Sequence, residues 1–373
     1  MTGKQPLQAL DLSELHSALE SAGHPWQTAY TSMTEKDEAG RVVRLGVRLD
    51  PGVDTDRLED DKDTAAAKAV GARADAVGAP VSFDLRNVNG ANYSTPVKDQ
   101  GGCGSCVAFG VAGTMESVAR YTERTPSLPI NLSEAHLFYC YGRKAGARCN
   151  TGWLPEPALD AARDSGVTFE DYYPYTAGDQ DCSGLNADWP NRDAKVASWQ
   201  SLTGNPAGMK QYISTYGAIT ACFYVYQDFF SYGGGVYRHV TGGFAGGHCV
   251  TLVGYDDGAK CWIAKNSWGT GWGESGFFRI GYGECGIESW HNCGVPGVRV
   301  RAWLPNQHIL GLWSNEHDAN LWTYGELRGW LKLDGATVST NEAMGLELAA
   351  GKALSSQVGL FEDAGTVQQI YVW

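Results

Sequence analysis

The chain has 373 residues, enough for two or three domains. Its net charge of −13 is spread along its length, and no basic cluster interrupts it. That argues against nucleic acid and anionic membrane surfaces as partners, and no run of about 18 apolar residues predicts membrane insertion.

In chain order, Met1-Thr2-Gly3-Lys4-Gln5-Pro6 shows no apolar signal core. Either a leader has been removed, export uses another route, or the protein stays inside the cell. Residues 11–22 predict an amphipathic helix, with Asp11 and Glu14 in a capping-box pattern and Leu12, Leu15, Leu19 and Ala22 on one stripe. Residues 41–49 alternate, with Val43, Leu45, Val47 and Leu49 on one face, which predicts a half-buried strand. An acidic stretch, 50–63, and an Ala-rich linker, 64–79, come next.

The stretch Gln100-Gly101-Gly102-Cys103-Gly104-Ser105-Cys106 precedes an apolar run, Val107 to Val118, that predicts a buried helix. A cysteine at a helix N-terminus sits where backbone N–H groups and the dipole favour a thiolate. The alternative readings of Cys103-Gly-Ser-Cys106 are a redox dithiol or half a zinc site. No second C-x-x-C follows and no thioredoxin-like strand pattern precedes it, so no metal and no cofactor is expected. Farther on, His248 lies 142 residues beyond Cys106. Asn266 lies in Lys265-Asn266-Ser267-Trp268-Gly269-Thr270-Gly271-Trp272-Gly273-Glu274.

These segments together resemble the papain family of cysteine peptidases, whose signature is C-G-[SA]-C-[WY] with His and Asn about 130–150 residues downstream. Val107 replaces the aromatic residue, and Asn266 falls slightly late. The resemblance runs from Val81-Ser82-Phe83-Asp84 to about residue 303. It implies a catalytic set of Gln100, Cys106, His248 and Asn266, with Trp268 shielding the His–Asn pair. It implies a substrate pocket containing Thr151, Gly152, Trp153, Cys222, Cys249 and Trp290. It also implies disulfides Cys103–Cys149 and Cys140–Cys182, and leaves Cys222, Cys249, Cys261, Cys285 and Cys293 unassigned. Cys285 matches a position often bridged in the family, for which Cys293 is a candidate partner. Ten cysteines favour an oxidising, extracellular-type compartment.

Helices near 132–140 and 156–165 precede strands near 218–225, 249–255 and 261–265. Helices followed by strands predict an α+β fold, by resemblance two-lobed, with a helical lobe, a β-barrel lobe and a cleft between them. Residues 306–373 lie outside the resemblance. They predict strands at 308–313, 320–324 and 329–333, a helix at 341–353 capped by Thr340, and strands at 357–362 and 367–373. That order predicts a small OB-like β-barrel domain whose core draws on Trp313, Trp322, Trp330 and Trp373.

The expected organisation is a prosegment-like region (1–79), a peptidase domain (80–304) and a C-terminal accessory domain (305–373). The expected function is cysteine endopeptidase action on a protein or peptide substrate, with residues 1–79 blocking the cleft and releasing it in acid. Two alternatives remain open. One is a catalytically silent binding protein. The other is an effector or toxin whose peptidase is cargo and whose C-terminal domain binds a receptor.

Overall fold

The computed structural model describes residues 10–50, 52, 53, 55, 78–317 and 320–373. The Ala-rich linker and most of the acidic stretch lie outside the described residues. Two lobes face each other. One is built on the helix Cys106–Thr122, which is buried on nearly every face, with a π-helical turn His136–Gly142 and the helix Pro155–Asp164 beside it. The other is a nine-stranded sheet around the long strand Phe244–Asp256, which pairs with Ile219–Tyr226 on one side and Cys261–Lys265 on the other. The architecture is mixed α+β.

Helix and sheet can meet closely because the helix carries glycines where they touch. A Cβ on Gly110 would lie 2.7 Å from the Cys249 sulfur, and one on Gly113 would lie 2.7 Å from Thr251 Oγ1. A buried ionic cluster ties the same elements together. Lys98 Nζ donates to Glu134 Oε1 at 2.7 Å, to the Leu132 carbonyl at 2.9 Å and to Glu116 Oε1 at 3.3 Å. Lys265 Nζ donates to Thr95, whose hydroxyl donates to Glu116. Burial pushes Glu134 up to about 7 and Lys265 down to about 8.

The N-terminal region is folded against the sheet lobe. Its helix is Leu12–Ser21, capped by Asp11, with Leu15 and Leu19 inward. The strand Trp26–Thr28 then pairs antiparallel with Tyr232–Tyr237. Gly235, at φ +98°, makes room for it, since a Cβ there would lie 2.7 Å from the Trp26 Cα. The predicted strand 41–49 does not form. Glu38–Val42 is a short helix capped by Asp37, and the chain beyond it is an extended strap with isolated bridges at Val47. The alternation is real, but the segment meets the central strand at Gly247 and the loop at Trp153 through single bridges rather than a strand ladder.

The C-terminal strands are Ile309–Ser314, Leu321–Gly325, Gly329–Leu333, Val358–Asp363 and Thr366–Val372, with the helix Val338–Ala353 between the third and fourth. Its cap is Thr337, not Thr340, because the helix begins three residues earlier than predicted. The expected tryptophan core is overturned. Trp313 and Trp330 are each 49% exposed and Trp373 is 68% exposed, while Leu304, Ile309, Leu331, Leu333, Leu348, Val358, Leu360 and Val367 fill the interior. Trp313, Trp322 and Trp330 fall on the strand face away from the helix, where alternation had no way to mark which face was inner.

This unit does not hang free. Val298–Trp303 pairs with Val358–Asp363 on one edge and with Asp193–Val196 of the helical lobe on the other. Arg328, 4% exposed, donates to Glu362 Oε2 at 2.7 Å and reaches Glu123, just past the end of the helix Cys106–Thr122, at 3.4 Å. Glu362 is fully buried. Arg328→Met should leave that carboxylate unpaired and cost about 3–5 kcal/mol. A thermal melt of the full chain should show its first transition lowered by roughly 10 °C, and an unchanged melt would mean the pair contributes nothing.

Candidate active site

Cys106 is the first residue of its helix and is fully buried. His248 lies on the central strand, also fully buried, and its Nε2 donates to Asn266 Oδ1 at 2.7 Å. That oxygen also accepts the Ser267 N–H at 2.8 Å, which fixes the amide with its oxygen toward the ring. Nε2 therefore carries the imidazole proton, and Nδ1 makes no hydrogen bond. Trp268 packs over the ring at 4.8 Å between centroids.

Gln100 is held by groups that sequence reasoning missed. Ser267 Oγ donates to Gln100 Oε1 at 2.7 Å, and Tyr175 Oη donates to the Gln100 carbonyl at 2.8 Å. The Gln100 Nε2 is thereby directed inward, where it donates to the carbonyls of Cys103 and Arg44, each at 2.8 Å.

The Arg44 carbonyl belongs to the N-terminal strap, which crosses the cleft. The Gly46 N–H donates to the Cys106 sulfur at 3.3 Å. The Val47 N–H donates to the Gly247 carbonyl, the Trp153 N–H to the Gly46 carbonyl and the Arg48 N–H to the Trp153 carbonyl. The fit leaves no room for side chains. A Cβ on Gly46 would lie 1.9 Å from the Gly104 carbonyl oxygen, and one on Gly152 would lie 1.9 Å from the Gly46 carbonyl oxygen. The Cys103–Cys149 disulfide joins the two loops that flank this passage, and Cys140–Cys182 braces the helical lobe.

Val47, 5% exposed, shares a buried cluster with Trp153, Cys222, Cys249 and Trp290. Gly247 separates Val47 from Trp290, since a Cβ there would meet both. Gly152 is buried beside them, while Thr151 is exposed and contributes a carbonyl to Arg48. Cys285 and Cys293 are buried thiols, so the bridge suggested between them is not formed.

Burial sets the charge state of the covered pair. It pushes the Cys106 thiol up to about 12, with the neighbouring Cys249 adding to the shift. It pushes His248 down to about 4, against the Asn266 hydrogen bond and the Arg44 backbone. Both groups are therefore neutral while the strap is in place.

The family model for papain family cysteine proteases matches residues 79–295. The chain belongs to the papain family of cysteine proteases. It is 35% identical over 239 residues to a cathepsin B-like protein, CP2, of Giardia intestinalis, covering 61% of this chain and 78% of that one. It is 33% identical over 237 residues to a gut-specific cysteine proteinase of Caenorhabditis elegans, covering 56% and 71%. Among solved structures it is similar to procathepsin B S9 of Trypanosoma congolense, with TM-score 0.60 and 25% identity, covering 77% of this chain and 98% of that one. It is likewise similar to procathepsin L2 of the Tenebrio molitor larval midgut, with TM-score 0.58 and 27% identity, covering 76% and 88%.

The strap geometry generates a test that needs no substrate. Gly46→Val places a side chain on the Gly104 carbonyl and should weaken docking by about 1–3 kcal/mol, or roughly 5- to 150-fold. Iodoacetamide labelling of Cys106 in the native full chain at neutral pH should rise by about that factor. Labelling that stays at the wild-type rate would mean the strap does not control access.

Proposed function

We propose that the chain is a latent cysteine endopeptidase in which Cys106 is the nucleophile, His248 the acid–base partner and Asn266 the residue that orients it. The observation that carries this reading is the Gly46 N–H on the Cys106 sulfur. A polypeptide already lies in the cleft and presents a backbone group to the thiol. It presents a donor rather than a carbonyl carbon, so the sulfur has nothing to attack and the strap survives.

Once the strap leaves, water reaches the pair and the burial penalty on both ions falls. Nδ1, the nitrogen without a partner, can then take the thiol proton, while Asn266 holds the Nε2–H. The thiolate attacks the scissile carbonyl, and His248 passes the proton to the leaving amine. The oxyanion is received by Gln100 Nε2, whose present partner is the Arg44 carbonyl oxygen, together with the Cys106 N–H; losing one such donor costs about 10²–10³ in rate. The buried position of Val47 supports a pocket formed by Trp153, Cys222, Cys249 and Trp290 that takes a branched aliphatic side chain.

Acid should release the strap, though not through its carboxylates. Among the described residues, the acidic stretch meets a base at Asp50, whose carboxylate lies 3.8 Å from His291 Nε2. That contact needs a charged imidazole, so it fades as pH rises and persists in moderate acid. His248 supplies the opposite sign. Its covered form resists protonation down to about 4, whereas an uncovered imidazole of ordinary pKa takes its proton near 6.5. The uncovered state binds more protons across that interval while the Cys106 thiol keeps its own, and docking then weakens by up to about tenfold per pH unit; transfer of the thiol proton to Nδ1 leaves the count equal in the two states and removes the dependence.

The C-terminal unit is proposed as an OB-type barrel. Its third strand pairs parallel with its fifth, and its helix joins the third to the fourth. Val298–Trp303 and Ile309–Ser314 act as one bent first strand, with Gln307 bridging Val358 between them. On that reading the accessory domain begins near 298 rather than 305.

Two outcomes are expected. Cys106→Ala should abolish peptide hydrolysis, and Asn266→Ala should cost less than either partner; hydrolysis by Cys106→Ala would overturn the assignment. Full-length protein should gain hydrolytic activity as pH is lowered from 6.5 toward 4, ahead of any cleavage seen by mass spectrometry. An activity profile flat across that range would remove His248 as the trigger.

A further inference from the structure

Three buried thiols, Cys222, Cys249 and Cys293, stand behind the nucleophile; two of them wall the proposed pocket, and none makes or breaks a bond in peptide hydrolysis. Cys222 and Cys249 are direct partners across two antiparallel strands. The Cys222 N–H donates to the His291 carbonyl on its other side, at 3.3 Å. In an antiparallel strand a residue's N–H and C=O point to the same side, so Cys222 and Cys249 form a non-hydrogen-bonded pair. Such pairs have Cα atoms about 4.5 Å apart, inside the range of about 4.4–6.8 Å that a disulfide spans. Both side chains face the helix headed by Cys106. This follows from their strand neighbours: Thr220 Oγ1 lies 2.9 Å from Thr114 Oγ1, and Thr251 Oγ1 donates to the Gly110 carbonyl at 3.1 Å.

The link to Cys106 runs through Gly110. Residues i and i+4 of a helix are neighbours about 5–6 Å apart, so Gly110 lies one turn below Cys106 on the same face. The Cys249 sulfur occupies the space where a Gly110 Cβ would be. An alanine there would separate the two thiols. Cys293, opposite Thr220 on the next strand, extends the row by one more buried thiol.

We propose that Cys249 and Cys222 form a resolving dithiol that removes peroxide oxidation from Cys106. The inference rests on Cys106 being a reactive thiolate once uncovered. A hydroperoxide oxidises that thiolate to the sulfenic acid, its O–O bond breaking and one water (or alcohol) leaving after protonation. The Cys249 thiol then attacks the Cys106 sulfur, forming a Cys106–Cys249 disulfide and releasing a second water. Cys222 attacks the Cys249 sulfur, forms the cross-strand Cys222–Cys249 disulfide and expels Cys106, which regains its thiolate or its proton. In sum, one peroxide and two thiols give one disulfide and two waters. The nucleophile is spared the irreversible sulfinic state, at which a lone sulfenic acid arrives with further peroxide. Buried thiols are slow toward oxidants on their own, so the oxidation enters at Cys106 and ends as a disulfide in the sheet. With the strap in place all three are sealed and the dithiol stays reduced.

The test uses the full chain activated in acid, with equimolar hydrogen peroxide, alkylation of remaining thiols and peptide mapping by mass spectrometry. The expected product is a Cys222–Cys249 cross-link with Cys106 alkylated. In Cys249→Ala, the fraction of activity that dithiothreitol cannot restore should rise about tenfold, with sulfinic acid at Cys106. In Cys222→Ala, oxidation should halt at a Cys106–Cys249 disulfide that dithiothreitol reverses. Sulfinic acid at Cys106 of the wild-type chain, with Cys222 and Cys249 both alkylated, would overturn the relay without touching the peptidase reading. Failure of iodoacetamide to label Cys106 in the acid-activated chain would overturn that reading, and the relay with it. The wild-type map decides the matter even if a variant fails to fold.

Discussion

A backbone passes over a sulfur with no side chain between them, and the site depends on that contact. Gly46 reaches Cys106 because Gly46, Gly104 and Gly152 all lack a Cβ along the passage. The Cys103–Cys149 disulfide keeps the two walls in register, and the strap hydrogen-bonds to both lobes, at Trp153 on one side and Gly247 on the other. Peptide hydrogen bonds individually contribute little net stability, about 0.5–1.5 kcal/mol each. Here several act together with the burial of Val47, so the latch is cooperative but not tight.

Covering the thiol also changes its chemistry. A thiolate–imidazolium pair needs solvent or dipoles to bear two charges, and the strap removes the solvent. Burial holds the Cys106 thiol up near 12 and the His248 imidazole down near 4. The latency proposed above would therefore be double, steric and electrostatic. The nearby ionic cluster of Lys98, Glu116, Glu134 and Lys265 is built differently. Its charged groups are partnered within the fold and tie the helix Cys106–Thr122 to the strand Cys261–Lys265.

The residues of the proposed catalytic set could be singled out in the sequence because each sits in a short segment whose chemistry is local. The glycine-rich turn, the helix-starting cysteine and the Asn266 segment announce themselves by residue type, and His248 by its spacing. Both disulfides followed from the family resemblance. The strap was only half legible. Alternation at Val43, Leu45, Val47 and Leu49 marked an apolar face, but its partners are the loop at Trp153 and a single residue of the central strand, Gly247, and alternation says nothing about partners. The decisive residue was Gly46, which carries no pattern at all. Tyr175 and Ser267, which hold Gln100, were missed because orienting hydroxyls have no spacing rule.

The C-terminal unit shows the opposite error, in which pattern was read and the wrong face chosen. Strand positions were close, because alternation and turn residues such as Asp363-Ala364-Gly365 fix them. Which face is inner depends on where the helix lands, and the helix Val338–Ala353 packs on the leucine side. Gly311 then allows Trp330 to lie across the outer face, 3.3 Å from where a Cβ would stand. The strand Val298–Trp303 belongs at once to this unit and, through Asp193–Val196, to the helical lobe. A sheet shared in this way transmits position rather than flexibility. The unit is thus joined by backbone hydrogen bonds to the lobe that carries Cys106, through one strand that both share.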